Sequence, residues 1–226
     1  MHKMFFVALV LFAILGLACS FSFGGDSDGA NGGDTGGGTE SNVLFQDDFS
    51  NTGSGWDRST FDEGSSDYSN GEYRIFVNTT SYSVWANPNQ TSYTDTRVEV
   101  DATKTGGPDD NEFGIICRHF DPSNYYAAVI SSDGFFGFWK RVAGADLELV
   151  GMTEFGQSAA INQGSASNHL RLDCVGSTLT LYANGTLLGS VTDTVHSSGD
   201  VGLYAGTFEE VAGTEILFDN FVVYQP

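Results

Sequence analysis

Basic residues are scarce in this chain. Nine lysines and arginines stand against 29 aspartates and glutamates, for a formal net charge of -20. A surface of that sign does not neutralise phosphates, which excludes nucleic acid as a partner and excludes electrostatic attachment to anionic membranes. Neutral glycans, cations and basic proteins stay compatible with it. Helical periodicity is also lacking, since no long stretch repeats apolar residues at 3.6-residue spacing. The sequence has no Gly-x-Ser-x-Gly elbow and no phosphate-cradling glycine loop. His119, His169 and His196 show no metal-ligand spacing, and His2 sits at the extreme N-terminus. Cysteine is confined to Cys19, Cys117 and Cys174.

What is present begins with an address. Lys3 precedes an apolar run from Met4 to Ala18. The run is about 15 residues, where a membrane span needs about 20, so it matches the apolar region of a secretory signal over residues 1–18. Small residues at Gly16 and Ala18 lead into Cys19, a pattern that resembles a bacterial lipoprotein signal. That resemblance implies acylation of Cys19, export, and attachment to a membrane through the N-terminal lipid. Ordinary cleavage after Ala18 is the alternative. Residues 20–41 are almost all Gly, Asp, Ser, Thr and Asn. Such a segment buries too little apolar surface to offset its ordering entropy. Residues 19–41 are therefore expected to form a lipidated cysteine and a disordered tether, with a reach on the order of 25 Å.

From Asn42 to Pro226 the composition changes, and about 185 residues fit one domain. Short alternating runs rich in Val, Ile, Tyr, Phe and Thr are separated by Gly, Asn, Asp and Ser. Strands are expected over 44–49, 71–77, 82–87, 93–103, 112–119, 124–131, 134–142, 146–151, 168–175, 178–184, 187–193, 199–206 and 214–224. Asn184-Gly185 between two such runs predicts a type I′ hairpin turn. Alternation places Phe113, Ile115 and Cys117 on one side of a strand, and Leu170, Leu172 and Cys174 on one side of another. Both cysteines share the core-facing set. In an oxidising compartment a Cys117–Cys174 disulfide follows, adding about 4 kcal/mol by loop closure. Two buried free thiols are the alternative.

An ordered set of motifs runs through this region. It opens with Phe45-Gln46-Asp47-Asp48-Phe49-Ser50 and Gly55-Trp56, and continues with Gly71-Glu72-Tyr73-Arg74-Ile75 and Arg97-Val98-Glu99-Val100-Asp101. Asn111-Glu112-Phe113-Gly114, Asn124-Tyr125-Tyr126, Asn168-His169-Leu170-Arg171, Gly199-Asp200-Val201-Gly202 and Phe218-Asp219-Asn220-Phe221 follow. The set resembles the concanavalin A-like lectin/glucanase superfamily, in its laminin-G-like and 3-keto-disaccharide-hydrolase-like branch. The resemblance implies an all-β fold, an antiparallel two-sheet jelly-roll sandwich with one curved sheet. Its members bind glycans, cleave them or mediate protein contacts, so fold does not settle function.

Glycosidases of that superfamily carry a Glu-x-Asp-x-x-Glu strand. Here Glu99 and Asp101 point the same way, about 6.5–7 Å apart along the strand. Lys104 stands where the third acid is needed, and Arg97 offers an ion pair on the same face. Hydrolysis is therefore not expected. Sugar recognition needs flat apolar faces with planar polar groups, and Trp139, Tyr125, Trp85, Arg118, Glu112 and Asn111 supply both kinds, with Tyr82 nearby. Arg118 and Glu112 lie opposite Cys117 by alternation, either as a structural ion pair or as ligand contacts. No cofactor is required. A structural calcium ion at Asp48 and Asp219, where first and last strands meet, is a candidate, and local hydrogen bonding is its alternative. The expected function is a surface-anchored, non-catalytic, lectin-like lipoprotein whose partner is a glycan. A cell-surface protein partner, with a structural or interaction role, is the rival reading, and a keto-disaccharide hydrolase is the third.

Overall fold

The computed structural model describes residues 42–90, 92–209 and 213–226. The signal peptide, Cys19 and the tether expected N-terminal to Asn42 lie outside the described residues. Every regular element among the described residues is a β-strand. In chain order these are β1 (Val43–Asp47), β2 (Ser59–Phe61), β3 (Gly64–Ser69), β4 (Glu72–Val77) and β5 (Tyr82–Ala86). The long central strands are β6 (Thr96–Gly106), β7 (Asn111–Asp121), β8 (Asn124–Ile130) and β9 (Phe135–Arg141). Two short ones follow, β10 (Glu148–Leu149) and β11 (Gly156–Gln157), then β12 (Ser167–Val175) and β13 (Thr178–Ala183). The chain closes with β14 (Thr186–Thr192), β15 (Asp200–Thr207) and β16 (Thr214–Tyr224).

They form two antiparallel sheets. One has nine strands in the order β14-β13-β12-β6-β16-β4-β3-β2, with β1 beside β16; the other has seven in the order β10-β9-β8-β7-β15-β5, with β11 beside β9. Period-two alternation makes the sandwich, because each strand offers one apolar face to the layer between the sheets. In β6 the inward set is Val98, Val100 and Ala102, while Arg97, Glu99 and Asp101 point out. Leu170, Leu172 and Cys174 of β12 and Tyr73, Ile75 and Val77 of β4 meet Phe113, Ile115 and Cys117 of β7 in the same core. The Cys117–Cys174 disulfide crosses that core and joins the two sheets, as alternation had implied.

Irregular positions change which face a residue sees. In β16 the register shifts between Asp219 and Val222, and Asn220 takes φ 54°, so the inward set passes from Phe218 to Phe221. A bulge of this kind inserts one residue and reverses parity. Phe221 thereby reaches the aromatic cluster of Phe49, Trp56 and Tyr73, with its ring centroid 4.9 Å from that of Trp56. Asp47 fixes the cluster by accepting from the Phe49 amide at 2.8 Å and from Trp56 Nε1 at 3.0 Å. The Asn184-Gly185 hairpin is present, with φ 52° and 78° joining β13 to β14.

Candidate functional site

The outer face of the seven-stranded sheet carries a second apolar layer. Ile116 of β7, Tyr125, Ala127 and Val129 of β8 and Tyr204 of β15 are buried there, apart from the core between the sheets. Half-buried Trp85 of β5 and Trp139 of β9 flank them, and Leu147 and Phe155 from the segments around β10 and β11 pack on top. Phe155 reaches in because residue 137 is glycine; a Cβ there would lie 2.7 Å from its ring. A cleft of about 530 Å³ opens on this face, lined by Trp85, Glu112, Trp139, Arg141, Leu147 and Tyr204 among others.

Glu112 forms the floor. Its Oε2 accepts from Trp139 Nε1 at 2.6 Å and its Oε1 accepts from the Tyr204 hydroxyl at 2.7 Å. Gly206 on the adjacent strand makes room, since a Cβ at that position would fall 2.6 Å from Glu112 Oε1. Burial pushes the Glu112 pKa up, and the two donors oppose that rise. Burial likewise raises the Tyr204 hydroxyl well above the ordinary tyrosine value. The three side chains come from three strands and lock one another, which sets the Trp139 indole in one orientation.

Tyr125 is wholly buried, its ring between Trp85, at 6.0 Å between centroids, and His119, at 5.9 Å. Its hydroxyl has no partner at hydrogen-bonding geometry. Burial raises its pKa, and the nearby Arg141 guanidinium opposes the rise. Beyond Trp85 lies a second cleft of about 690 Å³, with His119, Asn87, Asn89 and Asp200 in its lining and Phe120 at its rim, 78% exposed. Burial lowers the His119 pKa and raises that of Asp200.

Of the residues singled out in the sequence, Trp85, Trp139, Glu112 and Tyr125 come together on this face. Arg118 does not join them. The register of β7 shifts between Cys117 and Asp121, and Arg118 takes φ 53°, so alternation no longer keeps it beside Glu112. Its guanidinium instead bonds the carbonyls of His196, at 2.9 Å, and Gly176, and lies 3.6 Å from Asp95. In place of the Arg118–Glu112 ion pair, one of the two alternatives for these residues, the structure has a clamp from β7 to the turn between β12 and β13. Asn111 is also committed internally: its amide donates to the Pro108 carbonyl at 2.6 Å, and its oxygen accepts from the Ser132 amide at 3.0 Å. Sequence reasoning missed Arg141, Tyr204 and Leu147. Alternation from Trp139 places Arg141 on the same face, and that signal was in the sequence.

Glu99 and Asp101 lie on the outer face of the other sheet. Asp101 is 2.8 Å from His169 Nδ1 and accepts from Asn220 Nδ2 at 2.9 Å, while Glu99 is 3.6 Å from His169 Nε2. Arg97 pairs with Asp173, at 3.3 Å, rather than with these acids. Asp48 holds Ser50, accepting from its amide at 3.1 Å and its hydroxyl at 2.6 Å; Asp219 accepts from the Asn220 amide at 2.7 Å. Among the described residues no group of three or more His, Cys, Asp or Glu side chains is gathered as a metal site. Asp48 and Asp219 each hold a local turn.

No protein-family model matches the chain, and a search of the curated proteins found no match. Solved structures do match. Carbohydrate-binding module CBM66 from Bacillus subtilis aligns with a TM-score of 0.53 at 20% identity, covering 76% of this chain and 96% of its own. The likeness is one of fold. A Bacillus subtilis protein of galectin-like fold gives 0.59 at 11% identity, over 81% of this chain and 96% of its own. The GlcNAcα1-4Gal-releasing endo-β-galactosidase of Clostridium perfringens gives 0.55 at 10% identity, over 83% and 64% respectively. These neighbours agree with a concanavalin A-like sandwich, the architecture that the ordered motifs implied.

Proposed function

We propose that the protein binds carbohydrate in the cleft on the outer face of the seven-stranded sheet, without cleaving it. The observation that carries this reading is the pairing of two half-buried indoles, Trp85 and Trp139, across a polar floor at Glu112. Flat apolar faces suit the C–H face of a pyranose, and a few fixed polar groups orient its hydroxyls. The likeness in fold to a carbohydrate-binding module supports it. The non-catalytic part rests on the acids: both oxygens of Glu112 are engaged, and Glu99 and Asp101 are bound by His169 and Asn220 on the opposite sheet. Titration of the full chain with a panel of glycans should quench tryptophan fluorescence, and Trp85→Ala should weaken that binding at least tenfold with little loss of melting temperature. A panel with no binder, with recovery of a specific protein from the cell envelope, would favour the interaction-protein reading instead.

The site is displayed outside the cytoplasm in this reading. The disulfide suits an oxidising compartment, and the Cys19 motif supplies the anchor. Cys19→Ser should move the protein from the membrane fraction to the soluble exported fraction. Unchanged membrane retention would remove the lipid from the account.

A further inference from the structure

We infer that the sugar bound in this cleft carries a carboxylate, as in a uronate or sialate residue, and that Arg141, backed by Tyr125, receives it. The inference rests on the carbohydrate reading above and narrows it. Its first support is Arg141 itself. In a chain of net charge -20 a guanidinium finds acidic neighbours easily. Every other lysine and arginine among the described residues does so, with a carboxylate at 3.6 Å or closer. Among the described residues Arg141 has no carboxylate partner; it lines the cleft, and its Nε is buried without a hydrogen-bond acceptor among them. A buried unsatisfied donor costs about 1–3 kcal/mol, so its retention in a cleft points to a ligand that completes it.

The second support is the residue that backs Arg141. Tyr125 is directly opposite Arg141 in the β8–β9 register and wholly buried, with its hydroxyl beside the Arg141 guanidinium. The guanidinium fork offers parallel donors that match the two oxygens of a carboxylate, and Tyr125 holds it from the adjacent strand. The nearby acids do not supply this acceptor. Both oxygens of Glu112 are taken by Trp139 and Tyr204, and Asp146, exposed at the lip, makes no ion pair with Arg141. Trp85 and Trp139 then bracket the ring that bears the carboxylate. The charge of the chain as a whole opposes an anionic ligand, so discrimination comes from contact geometry and not from long-range attraction. Beyond about 8 Å that repulsion is screened at physiological salt.

The test is isothermal titration of the full chain against matched pairs: oligogalacturonate with the neutral galacto-oligosaccharide, and sialyllactose with lactose. The acidic member of one pair should bind at least tenfold more tightly than its neutral partner, and the pair that discriminates identifies the source of the carboxylate. Arg141→Lys keeps the charge but not the fork and should reduce that preference; Arg141→Gln should abolish it. Tyr125→Phe removes the hydroxyl behind the Arg141 guanidinium and should weaken acidic binding less than Arg141→Gln does. Equal affinity for acidic and neutral partners, or a preference that survives Arg141→Gln, overturns the carboxylate and leaves carbohydrate binding standing. Binding to none of the four, together with an empty general glycan panel, overturns both.

Discussion

Replacing Cys117 and Cys174 together by alanine should lower the melting temperature by about 8–16 °C. The bond closes a loop between residues separated by 57 positions. Constraining the unfolded chain over that length contributes about 4 kcal/mol in the loop-entropy model. For a domain of this size each kcal/mol moves the midpoint by about 2–4 °C. Location adds to the effect. Both cysteines are fully buried among Ile115, Leu172 and Phe113, and β7 and β12 belong to different sheets, so the bond is a covalent tie across the sandwich. Differential scanning calorimetry of the double variant, and of the parent with reductant, measures it. A shift below about 3 °C would mean that the unfolded chain keeps the two strands close without the bond.

Glu112→Ala should cost about 3 kcal/mol, and Glu112→Gln clearly less. Alanine strands the Trp139 indole N–H and the Tyr204 hydroxyl, both of which end on this carboxylate. Glutamine can still accept from the indole and donate to the phenol oxygen. The pH dependence has a definite sign. Burial raises the Glu112 pKa in the folded state, so the folded protein holds this proton more tightly than the unfolded chain. The associated stability is fully present below the ordinary glutamate value of 4.5 and is lost as pH rises through the raised one. Subtracting the Glu112→Gln melting curve from that of the parent across pH 3 to 8, about the range in which carboxylates titrate in proteins, should leave a difference that grows unfavourable to the parent with rising pH. A flat difference would show that the Trp139 and Tyr204 hydrogen bonds fully offset the burial.

Much of the sandwich was legible because its long strands alternate without interruption. β6, β7, β12 and β13 could be read from Val98–Val100–Ala102, Phe113–Ile115–Cys117, Leu170–Leu172–Cys174 and Leu179–Leu181–Ala183. The disulfide followed from the same parity. The hairpin of β2 and β3 was not read, because Ser59–Phe61 and Gly64–Ser69 are short, polar and at a sheet edge. One signal was there: Asn70-Gly71, at φ 55° and 90°, makes the same kind of turn as Asn184-Gly185. The site was harder. Trp85, Glu112, Tyr125 and Trp139 could be named as residue types, but their meeting depends on pairing of β15 with both β7 and β5 across long sequence separations. Arg118 was misplaced by a local departure from alternation that residue types do not announce. Arg141 was missed for a different reason. Its distinction is the absence of a carboxylate partner, and absence becomes visible only once every neighbour is in place.

The first strand lies antiparallel beside the last, and the Gln225 amide donates to the Asn42 carbonyl at 2.9 Å. Both ends of the sandwich therefore emerge side by side from the nine-stranded sheet, while the cleft opens on the far face of the other. A sandwich built this way is a plug-in part. It can be spliced into a surface loop of an unrelated protein, strung in tandem, or fixed to a solid support by either end, and its cleft still faces outward.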